Sequence, residues 1–123
     1  MSYKEFLKFI AQFAGHRKAE IEVEGNLITI EMRGQKNCWR LSSPVFISEG
    51  HLPDCLSYSG VLRWQERGAF LEVDRETESV NLVQDITSFA TYLRFKPLFL
   101  DFSHLVTEWK DILDDYVHAE KSI

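Results

Sequence analysis

Large apolar residues at Leu98, Phe102, Leu105, Trp109, Ile112 and Tyr116 follow one another at steps of four, three, four, three and four. Such steps bring side chains to one side of an α-helix, so this segment predicts an amphipathic helix with a buried stripe. Phe99, Val106 and Leu113 broaden the stripe. No other part of the chain has so definite a period. The helical pattern begins near Thr87 with Phe89 and Leu93, and Pro97 then fits the first turn of a new helix or a kink.

A second helix is expected at the other end. Ser2 can cap it, with Glu5 three residues on as the reciprocal member of a capping box. Phe6, Leu7, Ile10, Phe13 and Ala14 recur at helical spacing, Phe9 widens that stripe, and Gly15 is a natural stop.

Between these helices the period drops to two. Ile21 and Val23 alternate with Glu20, Glu22 and Glu24, which predicts a strand with one buried and one acidic face. Gly25-Asn26 suits a hairpin turn. A second strand runs from Leu27 to Arg33 with Ile28, Ile30 and Met32 on one side, and residues 34–37 turn the chain into a third around Trp39 and Leu41. Residues 44–57, with Pro44 and Pro53, have no clear period and read as a connection with room for one helical turn. A second meander follows. Val61, Leu62 and Trp64 predict a strand, Glu66-Arg67-Gly68 a turn, Phe70 to Val73 a strand, residues 74–79 a polar loop, and Val80 with Leu82 the last strand. The expected architecture is one α+β domain over residues 1–123, an antiparallel sheet of five to six strands flanked by N-terminal and C-terminal helices.

Charge narrows the function. Nineteen acidic against 14 basic side chains give a formal net charge of −5, and the basic clusters at residues 16–18 and 94–96 are too short to track a phosphate backbone. Nucleic acid is not an expected partner. Cys38 and Cys55 form neither a disulfide framework nor a CxxC pair, the N-terminus lacks the apolar core of a signal peptide, and no apolar run is long enough to span a bilayer. The expected setting is the reducing cytoplasm, without membrane insertion.

The usual catalytic groupings are missing. His16, His51, His104 and His118 fall in separate elements with no HxH, HExxH or HxxxH spacing. His51 and Cys55 are four apart, but Pro53 between them disfavours the regular helix that would pair them. Glu20, Glu22 and Glu24 alternate along a strand, and Asp111, Asp114 and Asp115 lie on the polar side of the last helix, where solvation accounts for them. Neither a phosphate-binding glycine loop nor GxSxG occurs. We therefore expect a binding protein, with no catalytic residue, cofactor or metal. Phe9, Leu27, Phe46, Leu62, Phe95 and Phe99 lie off the principal buried faces or at their edges. Either a wide core absorbs them, or an extended peptide or a second subunit covers them.

The order of elements resembles the class I type III secretion chaperones, small acidic bacterial proteins that bind virulence effectors. Phe70-Leu71-Glu72-Val73-Asp74 followed by Val80-Asn81-Leu82 looks like the family's final hairpin. Leu98, Phe102, Leu105 and Trp109, then Ile112-Leu113, look like its closing helix. The first helix, ending at Gly15 before the acidic strand, also fits. The family's middle helix, which helps form its homodimer, has no Leu-rich counterpart in residues 47–57. The resemblance implies a non-enzymatic chaperone holding a non-globular segment of a secreted effector in hydrophobic grooves. Leu7, Phe9, Phe13, Leu27 and Phe46 are then the expected groove residues, and Leu62 with Trp64 the expected homodimer contact. The competing reading is an immunity or adaptor protein that binds one folded partner through an acidic face.

Overall fold

A computed structural model of the protein describes residues 17–32, 39–47, 60–86 and 92–121, with Lys4, Leu7, Lys8, Ala11, Pro53 and Leu56 as isolated positions. Those first four positions have helical backbone, and the rest of the expected N-terminal helix lies outside the described residues. Six strands follow: β1 Lys18–Val23, β2 Asn26–Met32, β3 Trp39–Phe46, β4 Gln65–Glu66, β5 Ala69–Asp74 and β6 Ser79–Ile86. A helix, α1, spans Tyr92–Lys121.

The strands form one antiparallel sheet in the order β1-β2-β3-β6-β5-β4. Each meander thus contributes its last strand to the centre, where β3 and β6 pair. The alternation read from the sequence holds. Ala19 and Val23 of β1 are buried while Lys18, Glu20 and Glu22 are exposed, and Ile28 and Ile30 of β2 are buried on the same face. That face, with Leu41, Leu71, Val80 and Leu82, packs under α1. The helix rests on β3 above all, then on β2, β1 and β6.

The first hairpin turns one residue earlier than expected. Val23 pairs with Asn26, so Glu24 and Gly25 are the central residues, with φ of 50° and 83°. Positive φ at both positions matches the twist of a two-residue hairpin, and Arg67-Gly68 repeats it between β4 and β5 (φ 51° and 83°). Asn26 is left in the strand and buried. Its Nδ2 donates to the Ser103 carbonyl (3.0 Å), Ser103 Oγ (2.9 Å) and Thr107 Oγ1 (3.0 Å), and its Oδ1 accepts from Lys110 Nζ (2.7 Å). Ser103 Oγ in turn donates to the Val23 carbonyl at 2.8 Å. A carboxamide has two donors and an acceptor, and here every one is used to tie the hairpin to α1.

Residues 44–46 belong to β3 and not to the connection expected from Pro44. The hydrogen-bond parity explains why proline is tolerated. Met32 N–H donates to the Arg17 carbonyl, so the even residues of β2 bond to β1 and Leu27, Thr29 and Glu31 turn their backbone toward β3. Pairing between β2 and β3 stops at Thr29–Ser42. Carried two residues further, it would put Pro44, which has no N–H, opposite the Leu27 carbonyl. The Ser43 hydroxyl donates to that carbonyl instead, at 2.8 Å. On the other side the register with β6 shifts between Pro44 and Phe46, which tucks Val45 into the core. Ser43→Ala should leave the Leu27 carbonyl short of a partner and cost about 1–2 kcal/mol, read from a urea unfolding curve.

Three further expectations change. Val61–Arg63 is a 3-10 turn rather than a strand, and only Gln65–Glu66 pairs with β5. Val61, Leu62 and Trp64 instead lean on the core, and half-burial there needs no period of two. Pro97 lies inside α1 near its start, where its missing N–H leaves one helical carbonyl, that of residue 93, without its usual donor. Phe99, expected at the edge of the buried faces, is fully buried, whereas Ile112 and Tyr116 of the expected stripe are exposed. The helix is turned so that Phe99, Phe102, Val106, Trp109 and Leu113 face the sheet. In the 44–57 stretch, Leu56 has helical backbone and is buried in the core with its N–H on the Pro53 carbonyl (3.0 Å), and residues 48–52, 54, 55 and 57 lie outside the described residues.

Candidate protein-binding surface

Antiparallel pairing puts directly opposed residues on one face, so the register gives the composition of the sheet surface turned away from α1. One row across four strands reads Lys18, Glu31, Arg40, Asp85, alternating in sign. Arg40 anchors it with a fork on Asp85 (Nε–Oδ1 2.7 Å, Nη2–Oδ2 3.0 Å), lies 3.8 Å from Glu72 and stacks 5.4 Å above the Phe70 ring centroid. The next row reads Glu20, Thr29, Ser42, Val83, Phe70, Gln65. Val83, in the middle of it, is buried. Glu22 stands opposite Leu27. The outer face is therefore charge-balanced along one row, apolar at its centre, and acidic without an opposed cation at the β1 margin.

The expected groove residues scatter over this frame. Leu27, 48% exposed, projects from β2 on the outer face, and its carbonyl accepts from Ser43, just before the register shift between Pro44 and Phe46. Phe46 is half-buried against the core. Leu7 is 49% exposed. Phe9 and Phe13 lie outside the described residues, as do His16, Cys38, His51 and Cys55. Leu27 and Phe46 sit on neighbouring strands, whereas Leu62 and Trp64 belong to the far meander. There the Trp64 ring meets Trp109 of α1 with centroids 4.9 Å apart and planes at 53°. Part of the tryptophan is thereby committed to its own core, and the rest remains open to solvent.

One apolar residue was not singled out from the sequence. Ile47 is 72% exposed at the end of β3 and, with Pro44, Val45 and Phe46, forms one wall of a groove of about 300 Å³ whose other wall carries Lys110 and Asp114 of α1. Alternation alone would send Ile47 inward with Val45; the register shift between Pro44 and Phe46 and the end of β3 at Phe46 leave it outside instead. Reading Pro44 as a strand breaker concealed that strand end. Lys110 links this groove to the buried Asn26 cluster.

Other concavities mix charged and apolar side chains. The cleft between the β4–β5 turn and α1 is lined by Arg67, Gln84, Asp101, His104, Leu105 and Glu108. His104 Nε2 lies 3.0 Å from Glu24 Oε2, a second link between α1 and the first hairpin. Among the described residues no three His, Cys, Asp or Glu side chains gather as metal ligands would, and no helix is long and apolar enough to cross a membrane.

No family model matches the chain, and no curated protein sequence does. A chain of the solved structure of the HopA1-SchA chaperone-effector complex shares its fold. The TM-score is 0.58 over 86% of this chain and 93% of that one, at 12% sequence identity. The two are alike in architecture across nearly their full lengths, a remote resemblance in fold to a chain of a chaperone-effector complex, as the order of elements anticipated.

Proposed function

We propose that the protein is a non-enzymatic chaperone that holds a non-globular segment of a secreted bacterial effector against apolar patches on its surface. The observation that carries this reading is the fold shared with a chain of a chaperone-effector complex. It is supported by large aliphatic side chains left in water at Leu7, Leu27 and Ile47. A single exposed leucine is ordinary, but Ile47 opens onto the groove between the end of β3 and α1, and Leu27 stands on the outer face of the neighbouring strand. An unfolded client would bury its own apolar side chains there, its ordering cost offset by the area covered. Phe9, Phe13 and Phe46 complete the proposed groove, and the open side of Leu62 and Trp64 is the proposed homodimer contact. The setting is the bacterial cytoplasm.

Co-expression with a candidate effector tests the reading. The client segment should be protease-sensitive alone, protected in the complex, and without a cooperative unfolding transition of its own. A partner that stays folded and protected when released would instead identify the adaptor or immunity reading. Leu27→Asp with Ile47→Asp should cut capture of the client by about tenfold or more, because two charges would have to be desolvated on binding. The urea midpoint should fall only modestly, since both side chains are largely exposed and the main cost is a second carboxylate opposite Glu22.

A further inference from the structure

The groove between the end of β3 and α1 has two unlike walls. Pro44, Val45, Phe46 and Ile47 line one, and Lys110 with Asp114 lines the other. Ile47 stands exposed on the apolar wall, while Val45 beside it is buried. A volume of about 300 Å³ has room for the side chains of an extended segment and not for a folded face.

Lys110 is the group on the polar wall whose surroundings leave it incomplete. It is half-buried, and its Nζ donates to Asn26 Oδ1 at 2.7 Å, a neutral acceptor. No ion pair joins it to Asp114, one turn further along α1, or to another described carboxylate. An ammonium has three protons to donate, and among the described residues only one is used. A partly desolvated cation gains most from an anion that shares its sheltered position. Asn26 is itself fixed by bonds to Ser103 and Thr107, so the ammonium is held in place before any occupant arrives. Asp114 is exposed and solvated, and its carboxylate opposes a second anion nearby.

We propose that this groove selects an extended segment in which a large aliphatic residue stands next to Asp or Glu. Neighbouring side chains of an extended chain point to opposite sides, so the aliphatic one meets Phe46 and Ile47 while the acid reaches Lys110. The proposal rests on the chaperone reading and names the chemistry of one stretch of the client. A basic residue in the acid's place would gain only the solvated Asp114 and would meet Lys110. The net charge of −5 does not reverse this preference, because distant surface charges are screened and Lys110 is close. A second copy of this chain is a poorer occupant, since a folded face does not enter so narrow a groove.

The probe is a serine-rich, fluorescein-labelled peptide with Leu-Glu-Leu at its centre, followed by anisotropy beside versions carrying Leu-Gln-Leu and Leu-Lys-Leu. The glutamate peptide should bind about fivefold tighter than the glutamine peptide, the lysine peptide should bind weakest, and salt should erode the first difference. Lys110→Met should lower affinity for the glutamate peptide about fivefold and leave the glutamine peptide within about twofold. Asp114→Asn should act in the opposite direction and tighten the glutamate peptide about twofold, because a like charge leaves the wall. Asp114 is exposed, so this variant keeps the fold and the test even where Lys110→Met does not. Lys110→Glu should invert the order and favour the lysine peptide, an inversion that a purely structural lysine would not produce.

The proposal is overturned if the glutamate peptide fails to bind, if the glutamine peptide binds equally, or if Lys110→Met and Asp114→Asn shift affinity in the same direction. It is also overturned if sedimentation shows a dimer that Ile47→Asp dissolves, which would make a second copy the occupant. A client retained in full by Lys110→Glu would remove the acid preference and leave the chaperone reading standing. Selective peptide binding in the groove with no unfolded client captured would do the reverse.

Discussion

Phe99→Ala is expected to cost about 3–5 kcal/mol in urea unfolding, and Ile112→Ala no more than about 1 kcal/mol. Both residues belong to α1 and both are large and apolar, yet Phe99 is 1% exposed and Ile112 37%. Truncating Phe99 opens a cavity between the helix and the sheet. The sheet beneath α1 is held by its backbone hydrogen bonds and can close it only in part. Truncating Ile112 removes surface that water already reaches. For a domain with total stability of roughly 5–15 kcal/mol, the first change approaches the threshold of unfolding and the second does not. Equal losses at the two positions would mean that α1 is rotated from the orientation described above.

Asn26→Ala should destabilise by about 2–4 kcal/mol, well beyond the usual effect of an asparagine beside a turn. The side chain is 3% exposed and bonds Ser103, Thr107 and Lys110 over about two turns of α1. Its loss strips a part-buried ammonium of its acceptor and leaves the Thr107 hydroxyl without its donor. Lys110→Met is the control. It removes only the Oδ1 contact and should cost less than half as much, since the ties to Ser103 and Thr107 persist. Hydrogen exchange gives a second readout. With Asn26 gone, amides of β1 and β2 should exchange faster relative to those of β5 and β6, because the clamp joins only the first hairpin to the helix. Uniform loosening of all strands would remove the clamp from the account.

Several features of this protein were legible residue by residue. Ala19, Ile21 and Val23 against Glu20 and Glu22 fix a strand and its buried face, because a period of two has one geometric meaning. The same holds for Leu71 in β5 and for Leu82 in β6. That a helix follows, and that it covers a sheet, was equally plain. Which side of the helix faces the sheet was not. Phe102 and Trp109 belong to both possible stripes, one continued by Leu98, Leu105 and Ile112 and the other by Phe99, Val106 and Leu113. The two differ by a rotation of one residue, about 100°, and composition scarcely separates them. The choice depends on which stripe meshes with β3.

The strand at Pro44 and the short 3-10 turn at Val61 show the same division. Local rules said that proline ends a strand and that Val-Leu-x-Trp makes one. Tertiary structure reversed both, since the Leu27 carbonyl found the Ser43 hydroxyl, half-buried Leu62 leaned on the core and Trp64 found Trp109 of α1. The exposed groove residue Ile47 went unnoticed for that reason, while Leu27 was identifiable because it falls on the polar phase of an alternating strand.

The sequence by itself determined the periodic elements, the acidic face of β1 and the lack of a familiar catalytic motif, since each is a property of neighbours along the chain. Only the tertiary structure decided that β3 and β6 meet at the centre, that β1 is left at an edge, and that Asn26 reaches Ser103 across 77 positions. Those outcomes depend on which surfaces exclude water from one another once the chain closes, and no window of adjacent residues contains that information.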